Sequence, residues 1–249
     1  MDKHETKSTA GSRVIVTTSW DDGHKLDIRL ADLLLRYGIR GTFYIAPEDF
    51  ESTKDEHLTE NEMRNLSLRF EIGAHTMTHR SLPKLSQEEA LKEIVDSKKY
   101  LEQVTGHTVT SFCYPRGEYN KQHVRMVRDA GFLLARTVKR FVLTPATDFF
   151  ELPTSIHTYD HYLDVIGVFR FVNWNPFRFM HFYRKWDALA IAMFDTIQKE
   201  GGVFHLWGHS WELESHGDWE RLERVLAHIA HKEGVAYLTN GELATMTYA

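Results

Sequence analysis

Short runs of β-branched and aromatic residues alternate with amphipathic stretches along most of this chain. Residues 14–18 (VIVTT) carry the β-branched side chains that favour a strand, and residues 25–37 carry leucines at helical spacing. Residues 59–62 and 86–89 are Thr-x-x-Glu and Ser-x-x-Glu boxes, which typically open helices. The pattern therefore predicts strands and helices that follow one another along the chain.

The alternation of strand and helix patterns occurs some seven times without a Pro/Gly-rich linker, which indicates a parallel sheet with crossover helices in a single α/β domain. Polar residues cluster just after the strands, as they do in (β/α) barrels, so a barrel is favoured over an open sheet. An open doubly wound sheet stays an alternative, although no Gly-x-Gly-x-x-Gly follows a strand. After the first strand, further strands are predicted at 41–46, 70–74, 109–114, 132–138, 151–157, 203–207 and 235–238. Besides those at 25–37 and from Thr59, helices are predicted at 86–104, 121–130, 187–200, 218–231 and the C-terminus.

Two segments depart from this pattern. Residues 1–12 are polar and without periodicity, which predicts a disordered leader before a domain that spans 13–249. Residues 168–186 form an aromatic insertion with eight aromatics and four Arg or Lys in nineteen positions. Three interpretations are open for the insertion: a glycan-binding groove, an oligomer interface, or side chains buried under a long loop.

Composition and charge narrow the class of protein. A formal net charge of -5 and a pI near 6.3 argue against nucleic acid and membrane as partners, and they leave homo-oligomer formation open. One cysteine, Cys113, excludes an internal disulfide and a Cys-based zinc site. The chain has no run of about 18 apolar residues and no apolar signal core, so we expect a cytoplasmic protein. Fifteen histidines hint at metal chemistry.

Acidic and histidine side chains follow several of the predicted strands. Asp21 and Asp22 are adjacent carboxylates, which repel each other unless a cation or a shared proton relieves them. The alternative is a pair of exposed turn acids. If the strands share one barrel, His75, His79 and His209 converge on the same face.

His75 and His79 are spaced i, i+4, which predicts that both imidazoles lie on one side of a helical turn. Two imidazoles and one carboxylate make a three-ligand set that leaves positions open for water and substrate. Taken alone, the spacing is also that of two surface histidines. The preceding strand and the carboxylate pair favour a divalent metal, with zinc expected and iron, cobalt or another first-row ion equally suited to these donors.

Four motifs together resemble those of the polysaccharide deacetylase family, the NodB-homology or carbohydrate esterase family 4 group. They are Ser-Trp-Asp-Asp-Gly at 19–23, His-Thr-Met-Thr-His at 75–79, Cys-Tyr-Pro-Arg-Gly at 113–117 and Leu-Trp-Gly-His at 206–209. The resemblance implies a distorted (β/α)7 barrel. It also implies metal-dependent removal of an acyl group, usually acetyl from an N-acetylated sugar.

The resemblance also implies roles for individual residues. The metal would be held by Asp22, His75 and His79. Asp21 would be the general base and His209 the general acid. The backbone N–H near Arg116 would help to hold the oxyanion.

The third motif departs from the usual family pattern, because Cys113 and Arg116 stand where an arginine and an aromatic residue are common. Arg116 is therefore expected either to steer the Asp21 carboxylate or to bind an anionic substrate group, with a structural salt bridge as a further alternative. The family's Asp-Trp element cannot be placed, so the partner of His209 is unassigned.

Residues beside these motifs complete the candidate site. Tyr114, Trp207 and Trp211 are the candidate substrate-binding residues, and Trp207 is equally well explained as a core tryptophan. Glu212 is expected at the rim with Trp211. His205 shares a strand face with His209 and is interpreted as a packed histidine.

The chain is thus predicted to be a metal-dependent deacetylase of an N-acetylated saccharide or glycoconjugate precursor. The first alternative is an amidase or cyclic-amide hydrolase acting on a non-sugar substrate. The second is a catalytically idle carbohydrate-binding relative. The presence of both a base, Asp21, and an acid, His209, argues against a binder, which needs neither.

Overall fold

The longest strand, β1 (Val14–Asp22), lies inside a parallel sheet and is buried along almost its whole length. The computed structural model describes residues 13–246, so the leader predicted at 1–12 lies outside the described residues. The described helices include none that is long and apolar enough to cross a membrane. Trp20 of β1 is fully buried in the core.

The predicted strands and helices are present with ends that differ by a few residues, except that only residues 156–157 of the strand predicted at 151–157 form a strand. The remaining strands are β2 (Thr42–Ile45), β3 (Glu71–Ala74), β4 (Ser111–Cys113), β5 (Leu134–Arg136), β6 (Ile156–His157), β7 (Gly202–Gly208) and β8 (Val235–Tyr237). The helices are α1 (Asp27–Arg36), α2 (Glu60–Ser67), α3 (Gln87–Thr105), α4 (Lys121–Asp129), α5 (Val165–Phe171), α6 (Pro176–Phe182), α7 (Trp186–Glu200), α8 (Ser210–His216), α9 (Trp219–Ile229) and α10 (Asn240–Thr245). The sequence pattern did not predict α5, α6 or α8.

The strands form one curled sheet in the order β5-β4-β3-β2-β1-β7-β6, and every described strand pair is parallel. Strand β1 is long enough to pair with three strands. On one side it pairs with β7, and on the other side β2 pairs with its carboxyl half and β8 with residues 14–16 of its amino half. Each of the helices α1 to α4 lies between two consecutive strands from β1 to β5, as crossover helices of a parallel sheet do. The predicted distorted (β/α)7 barrel is confirmed.

Residues 152–158 bring the two edges of the sheet together. On one side, the N–H of Leu152 donates to Ala135 and the N–H of Thr137 donates to Leu152. On the other side, the N–H groups of Ser155 and Thr158 donate to carbonyls of β7. This run, predicted as a single strand over 151–157, therefore joins β5 to β7 and curls the sheet into a barrel.

Local sequence signals explain where several helices begin and end. Thr59 and Ser86 accept hydrogen bonds from the N–H groups of Glu62 and Glu89, so both predicted capping boxes are confirmed. Helix α3 ends at Gly106, whose φ of 74° is in the left-handed region that glycine adopts without strain.

Buried polar groups fill the amino end of the barrel interior. Asn240 at the start of α10 accepts a hydrogen bond from Thr17 Oγ1 at 2.8 Å and donates to Tyr44 Oη at 2.9 Å. Higher in the barrel, Ser19 Oγ lies 2.9 Å from Nε2 of His205, which is packed away from solvent as predicted. Helix α10 thereby closes the barrel at the end opposite the carboxyl ends of the strands.

The aromatic insertion (168–186) forms two short helices, α5 and α6, with α7 beginning at its last residue. Val168 and Trp186 are buried, as the interpretation of a covered loop requires. Trp174 and Phe177 are exposed, which that interpretation does not explain. The insertion is therefore only partly core.

Candidate active site

Polar side chains from three strand ends meet at the carboxyl end of the barrel. Asp21 and Asp22 end β1, His75 and His79 follow β3, and His209 follows β7. His209 Nε2 lies 4.0 Å from Asp21 Oδ2 and 3.9 Å from Asp22 Oδ2. The structure thus brings together all five residues that the strand pattern placed on one face.

Asp22, His75 and His79 have the geometry of a ligand set. Nε2 of His75 and Nε2 of His79 lie 3.7 Å and 3.5 Å from Asp22 Oδ1. Two donor atoms about 2.1 Å from one ion are roughly 3.4 Å apart at a tetrahedral angle. Asp22 Oδ1 is buried and has no hydrogen-bond partner among the described residues. Since an uncompensated buried carboxylate oxygen is costly, these three residues fit a divalent cation.

The two imidazoles are held with the correct nitrogen free. His75 Nδ1 donates to the carbonyl of Cys113 at 2.8 Å, and His79 Nδ1 donates to Glu51 Oε2 at 2.8 Å. Because each Nδ1 carries the proton and donates it in a hydrogen bond, each Nε2 is unprotonated and its lone pair can bind a cation. Burial lowers the pKa of His75 to about 4, so that imidazole is neutral at pH 7.

The segment 75–79 is a loop, so the prediction of a helical turn for the two histidines is wrong. Thr76 and His79 have φ values of 62° and 58°, which interrupt helical geometry, and the turn still brings the two rings within 4.8 Å of each other. Asp22 (φ 81°) and Arg116 (φ 59°) are also left-handed. Such backbone costs on the order of 1–3 kcal/mol per residue and typically collects at functional sites.

A second group of ligand atoms, from Asp21, His75 and Cys113, also lies within 4.8 Å. Burial raises the pKa of the Cys113 thiol well above its ordinary value, so the thiol stays protonated and is a poor ligand. Asp21 is already neutralised by an ion pair with Arg136. The set containing Asp22 is therefore the better cation site.

Arg136, at the end of β5, is the partner of Asp21. Its Nη2 donates to Asp21 Oδ2, and both side chains are almost fully buried. Burial by itself raises the pKa of Asp21, but the charges of Arg136 and the nearby histidines outweigh it and lower that pKa to about 2. Asp21 is therefore ionised at neutral pH, with Oδ1 left without a partner among the described residues.

Arg116 occupies a different place from the one expected of a residue that steers Asp21. Its guanidinium pairs with Glu51, and its side chain is 43% exposed. Arg136 holds the position that the first interpretation gave to Arg116, because Arg136 ends β5 and pairs with Asp21 whereas Arg116 lies in the tight turn after β4. The other interpretation, contact with an anionic substrate group, stays a prediction, since Arg116 lines the cavity described below.

Glu212 supplies the partner that the sequence left unassigned for His209. His209 Nδ1 donates to Glu212 Oε2 at 2.5 Å, and Nε2 of His157 lies 3.0 Å from the same oxygen. Burial lowers the pKa of His209, but Asp22, Glu212 and Asp21 outweigh burial and raise it to about 9. Burial likewise lowers the pKa of His157, to about 3. The pair therefore consists of a protonated His209 and an ionised Glu212 at pH 7.

An open cavity of about 420 Å³ lies over these groups. Asp22, His79 and His209 form its inner wall. The outer wall includes Arg116 and Trp211, together with acidic residues of the loop after β2. A cavity of this size admits one or two sugar rings above the candidate ligands.

The three candidate substrate-binding aromatics are in different environments. Trp211 is 41% exposed, lines the cavity and donates from Nε1 to Asp22 Oδ2 at 2.8 Å. Trp207 is buried, with its ring stacked 3.8 Å from that of His157. Tyr114 is fully buried and its hydroxyl donates to the carbonyl of Phe150. The structure therefore brings only Trp211 to the cavity, because the other two rings pack inside the barrel wall.

Arg136 is the functional residue that the sequence interpretation missed. An arginine in the apolar run 132–138 was the available signal, because a charge within a buried strand needs a partner. Glu212 was placed at the rim, although its i+3 spacing from His209 would have indicated the contact once α8 was recognised. Glu51 carried no signal, since it lies in a loop far from the histidine it contacts.

The first three of the four motifs lie within the part of the chain that matches a known family model. The family model described as polysaccharide deacetylase matches residues 7–135, just over half of the 249 residues. The protein YxkH of Bacillus subtilis is 26% identical over 136 residues, which cover 54% of this chain and 48% of that protein. A peptidoglycan-N-acetylglucosamine deacetylase of Bacillus cereus is 23% identical over 123 residues, 49% of this chain and 43% of that protein.

The fold is also similar to that of solved structures. The chitin deacetylase of the fungal pathogen Colletotrichum lindemuthianum superposes with a TM-score of 0.60 at 15% identity, over 95% of this chain and 90% of that one. At 15% identity, this similarity shows only that the two proteins share a fold. The chain spans about half the length of the curated relatives it matches.

Proposed function

The chain belongs to the polysaccharide deacetylase family, and on that premise we propose that it hydrolyses the acetamide of an N-acetylated saccharide with the help of a bound divalent metal ion. The names of two relatives, a peptidoglycan-N-acetylglucosamine deacetylase and a chitin deacetylase, support this substrate class. The observation that carries the proposal is the unpartnered Asp22 Oδ1, which faces two imidazole nitrogens beside an open cavity.

Asp22, His75 and His79 would hold the ion, with zinc as the proposed metal because three nitrogen and oxygen donors with open positions suit it. When bound, such an ion polarises the acyl carbonyl and lowers the pKa of a coordinated water. Asp21 would act as the general base. It is ionised, and Arg136 fixes Oδ2 so that Oδ1 stays available to accept a proton.

His209 would be the general acid that protonates the departing nitrogen. An amine is a poor leaving group, so bond cleavage needs a proton donor on that side. Glu212 keeps His209 protonated, and it orients the ring by accepting a hydrogen bond from Nδ1–H. The Nε2 atom is then directed at the cavity. The proposed base and acid thus come from the carboxyl ends of two neighbouring strands, β1 and β7, with Nε2 of His209 4.0 Å from Asp21 Oδ2.

Acetate release from N-acetylglucosamine oligomers tests this function. We expect turnover that chelator abolishes and added metal restores. Asp21→Asn should keep the metal and lose turnover by at least about 100-fold, whereas His75→Ala should lose both. His107→Ala is the matched control, because His107 is exposed and belongs to none of the four motifs.

Three results would contradict the proposal. Full activity after the metal has been stripped would show that a cation held by Asp22, His75 and His79 is not needed for the reaction. Release of acetate from small non-sugar acetamides but not from the oligomers would assign an amidase instead, and saccharide binding without turnover by the metal-loaded protein would assign a binder.

A further inference from the structure

We propose that residues 162–186, here called the aromatic segment, dock the protein on an anionic lipid surface. The segment contains α5, α6 and the aromatic insertion, and it takes no part in the proposed hydrolysis. The inference therefore goes beyond the proposed function and does not depend on it.

The aromatic segment exposes large apolar side chains to solvent. Six of them are more than half exposed, and they include aliphatic as well as aromatic residues: Leu163 (92%), Phe177 (86%), Met180 (70%), Trp174 (64%), Tyr162 (61%) and Ile166 (59%). Exposed apolar residues are normal when scattered singly, but a concentration within 25 consecutive positions marks an interaction surface.

The backbone holds Trp174 outward. Asn173 and Trp174 have φ values of 54° and 59°, two consecutive left-handed residues without a glycine. The Trp174 ring is stacked 5.7 Å from Phe169, which in turn stacks 3.9 Å from Phe179. A strained turn supported by an aromatic stack fixes this indole where it is 64% exposed, and tryptophan is enriched at the membrane–water boundary.

The segment is also locally basic. Residues 165–186 contain Arg170, Arg178, Arg184 and Lys185 but no Asp or Glu. All four side chains belong to exposed residues, and no ion pair is formed by any of them within residues 13–246. The segment thus presents about four positive charges that have no acidic partner in the described chain.

The acids at the borders of the segment do not neutralise it. Asp164 pairs with Arg140, and Asp160 pairs with Arg221 at 2.9 Å. Asp187 is bonded to Arg221 and Arg224. Each border acid is therefore occupied by an arginine from outside the segment.

A lipid surface fits these observations better than the other occupants do. A second copy meeting the first symmetrically would bring eight like charges together, which is unfavourable. A glycan is bound by stacking and hydrogen bonds and has no use for exposed Leu163, Ile166 and Met180. Apolar side chains interspersed with arginine are what an interfacial segment needs to reach the acyl boundary while it contacts anionic headgroups.

The net charge of -5 argued against membrane as a partner for the chain as a whole. Charges more than about 10 Å from a surface are largely screened at physiological salt, so the local charge of the segment governs docking. The acidic remainder of the chain would favour a single orientation, with the aromatic segment toward the lipid.

Vesicle flotation of the full chain tests the docking. We expect binding to phosphatidylcholine vesicles that contain phosphatidylglycerol, and much weaker binding to phosphatidylcholine alone. Leu163→Ser/Phe177→Ser should weaken the partition constant by at least about tenfold. Arg170→Ser/Arg178→Ser should weaken it by about 25-fold, since each cation near the surface contributes about fivefold.

Matched controls are Leu68→Ser, which removes a side chain that is 71% exposed elsewhere, and Lys121→Ser/Arg125→Ser on α4. Both should bind like the original chain. A second measurement uses no surface-charge variant: tryptophan emission should shift to the blue on anionic vesicles, and Trp174→Phe should lose most of that shift.

Three outcomes would overturn the inference. One is no flotation on phosphatidylglycerol vesicles at low salt. Another is equal flotation by Leu163→Ser/Phe177→Ser and the original chain. The third is a dimer in solution that Phe177→Ser dissociates while no vesicle binding occurs, because the segment would then be an interface between copies. None of these outcomes bears on acetate release.

Discussion

At the scale of single residues, the buried pair of Asp21 and Arg136 combines a structural with a chemical role. Both side chains are nearly inaccessible to solvent, and the Arg136 guanidinium also lies 4.5 Å from the Trp207 ring. A buried charge is tolerated only with its partner in place, and Arg136 is the largest of the charges that keep Asp21 ionised.

Removal of Arg136 should therefore be costly. We expect Arg136→Met to lower the free energy of unfolding by about 3–5 kcal/mol, because Asp21 would be left as an uncompensated buried charge. Chemical denaturation measures the change. Arg116→Met is the control and should cost less than about 1 kcal/mol, since its pair with Glu51 is exposed. Equal losses in the two variants would contradict the assignment of Arg136 as the partner of the base.

Glu212 should set the pH range over which His209 can donate a proton. His209 with its pKa raised to about 9 is protonated below that pH, so the rate is expected to fall as the pH rises through it. In Glu212→Gln the pKa of His209 falls toward its ordinary value. The alkaline limb of kcat should then move to lower pH by about one unit.

The control for this pH profile is Glu214→Gln, an exposed acid on the same helix that pairs with Arg29. It should leave the alkaline limb where it is. An unchanged limb in Glu212→Gln would mean that His209 is not the titrating acid.

At the scale of elements, α1 carries an unusual buried acid in its first turn. Asp27 is fully buried, and neither carboxylate oxygen has a hydrogen-bond partner among the described residues. Burial raises its pKa well above the ordinary 3.8. The helix dipole favours an acid in the first turn, but burial disfavours the charged form of its carboxyl group.

Asp27→Asn should therefore stabilise the protein. A carboxyl whose folded pKa is raised has no penalty below pH 3.8 and a growing penalty as the pH rises above it. We expect the variant to gain about 1–3 kcal/mol at pH 8 and to match the original chain near pH 4. Thermal unfolding at both pH values measures this. Asp32→Asn, on the exposed side of α1, should show no such trend.

At the scale of the whole molecule, a column of buried polar groups runs through the barrel from α10 to the active site. Asn240 donates to Tyr44, and the Arg136 guanidinium lies 5.4 Å over the Tyr44 ring before it reaches Asp21. Closure of the amino end and orientation of Asp21 are thus parts of one interior arrangement.

Asn240→Ala should destabilise the barrel by about 2–4 kcal/mol, because it leaves the Thr17 hydroxyl and Tyr44 without their buried partner. Urea denaturation gives the change, with Thr245→Ala as the control on the exposed side of α10. A loss below about 0.5 kcal/mol for Asn240→Ala would show that α10 does not hold this end of the barrel.

Much of this architecture was predictable from the sequence because strand and helix periods are local signals. Strands and capping boxes were placed correctly, and the motif residues 21, 22, 75, 79 and 209 converge as the barrel requires. The conformation of 75–79 was not predictable from spacing, since Thr76 and His79 are left-handed and lie in a loop whose backbone N–H groups donate to Glu93, which is distant along the chain. Arg136 and Glu51 were missed for the same reason, because their partners are distant in sequence.

Two adjacent residues of helix α8 each hold a different group of the candidate site. Trp211 holds one oxygen of Asp22, and Glu212 holds the ring of His209. The two side chains share a single helical turn, so the proposed cation ligand and the proposed proton donor both depend on the position of one helix. Loss of the proposed ion and misalignment of His209 should therefore occur together, and a titration that follows both should show a single transition.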